Sequence, residues 1–157
     1  MHLLTYIIIP VITIWTATTG SSFTSAGMDW YKTINLPSFT PAGGIIGTVW
    51  TIIFILTTIS AIIVFTRDDE QTTRAQKWRI GALFIANALL NIFWSYLFFT
   101  QHEIGWATGE ALILNLSVIF LIVCIWPISK TASILLLPYT AWVTFATYLS
   151  YIVYTLN

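Results

Sequence analysis

The sequence predicts an all-α, polytopic membrane protein, a bundle of five transmembrane helices. Two observations carry that expectation. Hydrophobic residues make up 57% of the 157-residue chain and charged residues only 8%, and the mean hydropathy is +0.85. So few charges cannot cover the surface of a soluble domain of this size. The charges are also bunched. Arg67, Asp68, Asp69, Glu70, Arg74, Lys77 and Arg79, more than half of the ionised groups, fall in one short stretch between long apolar runs.

A membrane helix needs about 20 mostly apolar residues. The first span is expected over 3–23, interrupted by Pro10. Small residues from Thr16 to Ser22 follow its apolar core, as in a signal peptide, but no Lys or Arg precedes it, which favours a retained helix. The second span is expected over 45–66, ending at the charge cluster, the third over 80–100, the fourth over 106–128 and the fifth over 132–156. Backbone groups in hydrocarbon must bond within their own segment, so these spans are helices. A loop over 26–42 joins the first two, and the whole chain, 1–157, has room for one domain.

Orientation follows from the basic residues. The segments holding Arg67 to Arg79 and Lys130 share a side with the N-terminus, and the other side holds Lys32. The positive-inside rule puts the N-terminus in the cytoplasm and the first loop outside. A formal net charge of +0 gives no electrostatic case for nucleic acid. Cys124 is the only cysteine, and His2 and His102, the only histidines, are expected at opposite ends, so no metal site is expected.

Trp30, Trp78, Trp106 and Trp126 lie near the expected helix ends, where indoles form an interfacial belt. Trp15, Trp50, Trp94 and Trp142 fall inside spans instead. At about 1.5 Å per residue the first three sit about 10 Å deep, with Trp142 nearer the midplane. Asn87, Asn91 and Asn115 reach intermediate depths, where amides need partners and so face the bundle interior. Asn87, Asn91, Trp94, Ser95 and Phe98 share one face of the third helix. Trp50, Phe54, Thr57 and Ala61 form a stripe on the second, and Pro138, Trp142, Ala146 and Leu149 one on the fifth. Flat aromatics with sparse hydrogen-bonding groups suit a large planar, mostly apolar ligand; plain packing of the bundle is the alternative. The outer loop holds Trp30, Tyr31, Pro37, Phe39 and Pro41, more aromatics and proline than a solvated linker needs, and reads as a lid.

Several segments recur in a known order: Trp30-Tyr31, Pro37-Ser38-Phe39-Thr40-Pro41, Gly47-Thr48-Val49-Trp50, Asn91-Ile92-Phe93-Trp94-Ser95 with Phe98-Phe99, and Pro138-Tyr139-Thr140-Ala141-Trp142 with Phe145-Ala146. Together they resemble the tryptophan-rich sensory protein/translocator protein family (TspO, also called the peripheral-type benzodiazepine receptor). Departures stand at Leu36, Phe39, Ala42 and Ser150, where the family usually has lysine, tryptophan, proline and asparagine. The resemblance implies five membrane helices, here in a bacterial cell membrane, around a pocket for porphyrins such as protoporphyrin IX and haem, with no required cofactor. It also implies isoquinoline carboxamide and benzodiazepine ligands and a homodimer. Carried over residue by residue, the pocket would be lined by Tyr31, Trp50, Phe54, Asn87, Leu90, Trp142 and Ala146 and capped by the loop from Trp30 to Pro41. Light-dependent porphyrin breakdown would involve Trp50 and Trp142. The sterol-binding pattern of animal members is incomplete, since no basic residue follows Tyr151 or Tyr154.

Three features stand apart from that core. Glu110 lies just over one turn inside the fourth helix, and intramembrane carboxylates commonly mark proton or substrate pathways. It motivates an alternative reading, a proton-coupled exporter of apolar molecules. His102 is a conceivable haem ligand but reads first as a solvated loop residue. The small-xxx-small pairs Ala82/Ala86 and Gly105/Gly109 permit close helix approach, and the resemblance favours Ala82 and Ala86 for the dimer.

Overall fold

In the computed structural model, residues 2–67 and 72–157 are described, so Asp68, Asp69 and Glu70 of the charge cluster lie outside the described residues. The chain is helical almost throughout: α1 (His2–Ala26), α2 (Met28–Tyr31), α3 (Gly43–Thr66), α4 (Arg74–Ser95), a π-helical turn (Tyr96–Thr100), α5 (Ile104–Ile125), α6 (Lys130–Ile134) and α7 (Leu137–Leu156). Five stretches are long and apolar enough to cross a membrane: Leu3–Ala26, Gly43–Thr66, Arg74–Thr100, Ile104–Ile125 and Lys130–Leu156. This is an integral membrane protein.

Three features depart most from the sequence reading, each for a local reason, while the other helix ends move by no more than three residues. α1 runs unbroken through Pro10, because the hydrocarbon favours a continuous helix around a proline. α4 begins at Arg74, inside the charged stretch, because Thr73 and Gln76 form a capping box. The Gln76 amide N–H donates to Thr73 Oγ1 (3.2 Å) and the Thr73 amide N–H to Gln76 Oε1 (2.8 Å). The fifth span is broken into α6 and α7 at Leu135 and Leu136, just before Pro138 in the first turn of α7. Proline supplies no N–H to bond back to the preceding turn and its ring crowds that turn, but it is accommodated in the first turn of a helix, so one helix ends and a new one starts around it.

The helices form a ring. α1 packs between α3 and α4, α5 between α4 and α7, and α7 touches α3 only lightly. At the end towards α6 the ring is filled solidly by Val64, Val118, Leu121, Ile125 and Leu136. There Ser60 Oγ donates to the Ala132 carbonyl (2.8 Å), tying α3 to α6. The buried amides tie the other helices. Asn87 Nδ2 donates to Ser117 Oγ (2.8 Å), linking α4 to α5. Asn115 Nδ2 donates to Thr144 Oγ1 (2.8 Å) and its Oδ1 accepts from Thr140 Oγ1 (2.6 Å), linking α5 to α7. Such bonds contribute about 0.6 kcal/mol each in lipid, and they fix register more than they stabilise. At the opposite end, towards the first loop, the ring opens around a cavity.

Candidate functional site: a cavity under the first loop

The cavity has a volume of about 1120 Å³. Its walls are apolar and aromatic, and they come from every spanning segment. α3 gives Gly47, Trp50 and Phe54, α4 with its π-turn gives Asn91, Trp94, Ser95, Phe98 and Phe99, α5 gives Ala111 and Leu114, and α7 gives Trp142, Phe145, Ala146, Leu149 and Ser150.

The orientation of the rings is set from behind. Tyr139, fully inside the bundle, accepts from Asn91 Nδ2 (3.2 Å) and meets Trp50 edge-on at 5.9 Å and 76°. Trp50 also packs on Phe54 at 5.7 Å, and Trp142 on Phe145 at 5.4 Å. The π-turn adds one residue to the last turn of α4 and so turns both Phe98 and Phe99 inward, a distortion common at functional sites. Two indole N–H groups, on Trp94 and Trp142, are buried without a hydrogen-bond partner. Both residues line the cavity with their nitrogens just behind its surface, so a small turn of either ring would bring its N–H to a carbonyl or carboxylate oxygen of an occupant.

The first loop covers the mouth and is pinned at four points. Gly27 lies against the Phe99 backbone, with no room for a side chain. Trp30 stacks on His102 (centroids 4.1 Å apart, planes 13°) and meets Phe98 edge-on at 5.7 Å. Asn35 and Asn157 bond reciprocally: the Asn35 amide N–H donates to Asn157 Oδ1 (2.9 Å) and Asn157 Nδ2 to the Asn35 carbonyl (3.0 Å). Phe39 stacks on Tyr148 at 5.9 Å. Tyr31 sits between Phe98 and Phe99, and its burial pushes the phenol above the usual tyrosine value.

Of the seven carried-over lining residues, Tyr31, Trp50, Phe54, Trp142 and Ala146 reach the cavity. Asn87 and Leu90 do not: Asn87 is spent on Ser117, and Leu90 packs against the core behind the wall. Asn91, one turn further along the same face, takes the place at the wall. In the loop, Pro41 faces the cavity with Met28, Lys32, Leu36 and Thr40. Trp30, Pro37 and Phe39 belong to the cover but do not line the cavity, and Phe39 is 45% exposed. Pro138 on α7 is exposed, and Trp15 is 52% exposed on the outer face of α1. Trp30 is a packed residue of the cover, while Trp78, Trp106 and Trp126 are exposed.

The contribution of α1 was missed. Thr16, Ala17, Gly20, Ser21, Thr24 and Ser25 line the cavity along one side. The signal was the run of small and hydroxylated residues from Thr16 to Ser25, which leaves space where bulky side chains would fill it. Between α1 and α3 the cavity is not sealed. Ser21, Ser25, Gly43, Gly47 and Thr51 line it and are also exposed, and a smaller crevice of about 340 Å³ on the outer face of the same seam shares Ala17, Thr51 and Phe54 with it.

This pairing of five membrane helices with an indole-lined cavity beneath a pinned loop invites comparison with known proteins. A model of the TspO/MBR family matches residues 6–155. The chain belongs to the TspO/MBR family. It is 34% identical over 128 residues to the tryptophan-rich protein TspO of Bacillus cereus, covering 82% of this chain and 80% of that one. It is 34% identical over 139 residues to the protein of the same name from Archaeoglobus fulgidus, covering 88% and 87%. The human translocator protein is 30% identical over 139 residues, covering 88% of this chain and 81% of its own. These TspO/MBR relatives span bacteria, archaea and animals.

Proposed function

We propose that this protein is a membrane receptor or translocator for porphyrins, protoporphyrin IX and haem, and for related planar apolar ligands such as isoquinoline carboxamides and benzodiazepines. The carrying observation is the cavity itself. Trp50, Trp94 and Trp142 come from three helices to one apolar space, and two of their N–H groups lack partners. Stacking surface supplies affinity for a macrocycle, and the two donors suit carboxylate oxygens at its edge. No cofactor is required for binding. The open α1–α3 seam gives a lipid-dissolved ligand a lateral way in.

Light-dependent degradation of protoporphyrin IX is the chemistry this arrangement supports best. A porphyrin excited beside Trp50 or Trp142 can take an electron from the indole and pass it to dioxygen; the indole cation then takes an electron back from the macrocycle, and the porphyrin cation and superoxide combine, so the net change is addition of dioxygen to the ring. The test is a titration of the purified protein with protoporphyrin IX, haem and a sterol, in the dark and under illumination. Saturable porphyrin binding is expected, with bleaching in the light that falls away in Trp50→Phe and Trp142→Phe. Bleaching unchanged in both, with binding intact, would leave a receptor or carrier and no photochemistry.

The remaining assignments belong to this proposal: a bacterial cell membrane, the N-terminus in the cytoplasm, the first loop outside, and a homodimer through the third spanning helix. Ala82 and Ala86 are exposed on the lipid face of α4, free to meet a second copy. Crosslinking of Ala82→Cys in lipid should give a dimer; monomer alone would exclude that face. A second reading, proton-coupled export of apolar molecules, is favoured by Glu110, which is buried with both oxygens unpartnered. Flux that ignores a proton gradient, or that survives Glu110→Gln, would exclude it.

A further inference from the structure

Among the described residues Glu110 is the one acidic or basic side chain that is buried. It is 5% exposed, and neither carboxyl oxygen has a hydrogen-bond partner. In a low-dielectric interior an unpaired carboxylate costs several kcal/mol, so the ionised form persists only beside something that supplies a counter-charge.

Its surroundings say what that something is. The Asn87–Ser117 bond (2.8 Å) fixes the antiparallel register of α4 and α5. Two turns along each helix from that bond come Trp94 and Glu110, on the same faces and level with each other. The Trp94 N–H is unpartnered too, and its ring stacks on Phe98 at 5.2 Å and meets Phe99 edge-on at 6.0 Å. Trp94, Phe98 and Phe99 line the cavity, as do Ala111 and Leu114, the neighbours of Glu110 on α5. An unpartnered acid therefore stands one layer behind the wall of an aromatic chamber, between the Ala111 and Leu114 that face it and the α4 seam. Aromatic faces attract cations, and a carboxylate supplies the counter-charge. The cavity's own basic group, Lys32, is paired with Asp29 (3.0 Å) at the rim.

We propose that the α4–α5 seam at Glu110 and Trp94 is a subsite for a basic nitrogen, and that planar apolar amines bind there with Glu110 as counter-ion. The inference rests on the reading that the cavity takes planar apolar ligands, and it adds the feature those ligands are selected for. The amine enters from lipid as the free base. The Glu110 O–H bond breaks, the proton forms a new N–H bond on the amine, and the resulting ammonium and carboxylate remain as an ion pair. No net charge crosses the hydrocarbon.

The test uses pyrenylmethylamine and pyrenylmethanol, which share one flat ring system and differ in a basic nitrogen against a hydroxyl. Each is titrated by tryptophan fluorescence into the purified full chain, wild type and Glu110→Gln. Because the two probes partition differently into detergent, the readout is the ratio of their Kd values. The wild type should favour the amine by about ten-fold or more, the effect of one charged hydrogen bond. Glu110→Gln should bring the ratio to about one while the alcohol still binds, which also shows that the variant is folded. Should that variant bind neither probe, Glu110→Asp, which retains the carboxylate, must keep the preference for the amine. An equal ratio in wild type and Glu110→Gln, or no amine preference in the wild type, overturns the subsite and leaves the cavity reading standing. If neither probe binds the wild type saturably, the cavity reading fails and the subsite with it.

Discussion

Trp50→Ala and Trp142→Ala should each weaken porphyrin binding by about 1–3 kcal/mol, roughly five- to 150-fold in Kd, since each removes one stacking face. The two losses have different origins. Trp50 is braced from behind by Tyr139 and Phe54, so its ring is held in place before any ligand arrives. Trp142 carries an unpartnered N–H besides its ring. Trp142→Phe should therefore keep much of the stacking and lose the hydrogen bond, falling between wild type and Trp142→Ala. Trp15→Ala is the control, because that indole is 52% exposed on the outside of the bundle. A titration followed by porphyrin absorbance decides the matter. If Trp15→Ala weakens binding as much as the other two, the indoles act through general stability and not through contact.

Gly27→Val should be the most damaging single change in the cover. A Cβ at this position would stand 2.7 Å from Phe99 Cβ and closer still to the Phe99 backbone, which cannot step aside as a flexible side-chain tip would. The junction of α1 and α2 must then lift off the π-turn, taking Trp30 and Tyr31 from Phe98 and Phe99. Overpacking of this kind costs about 1–3 kcal/mol, and here it also unseats the cover. Thermal unfolding in mild detergent should show a lower Tm, and bound porphyrin should leave faster. Gly109→Val is the comparison, since nothing lies within 4 Å of a Cβ there. Equal effects at the two glycines would show that the contact with Phe99 holds nothing in place.

The two substitutions probe different things that the sequence made legible. The spans were readable because lipid admits few alternatives: long apolar runs must be helices, and the charged stretch must lie outside. The shared face of Asn87, Asn91, Trp94, Ser95 and Phe98 was readable from helical periodicity, and all five are buried or half-buried as expected. Periodicity gives a face but not a depth or a partner. Asn87, placed at the cavity by the family resemblance, lies on that face, but Ser117 opposite takes its amide, while Asn91 a turn away reaches the wall. Local chemistry was under-read at Thr73 and Gln76, whose capping-box spacing marks the true start of α4. It was under-read again at Pro138, which splits the fifth span. The side of the cavity formed by α1 was the hardest to foresee. Small residues there announce an absence of packing, and an absence becomes a wall only when the opposite helices are in place. The reciprocal Asn35–Asn157 bonds, between residues far apart in sequence, leave no local signal at all.

The central claim is that ligands occupy the space between the helices beneath the first loop. The most direct measurement fills that space and asks what is lost. Gly47 and Ala146 line the cavity on α3 and α7, whereas Ala141 is exposed on the outer face of α7. Saturable protoporphyrin IX binding should be lost in Gly47→Trp/Ala146→Trp, with the helical content and Tm of a folded protein, and kept in Ala141→Trp. Undiminished binding by the plugged double variant would place the ligand elsewhere and contradict the account.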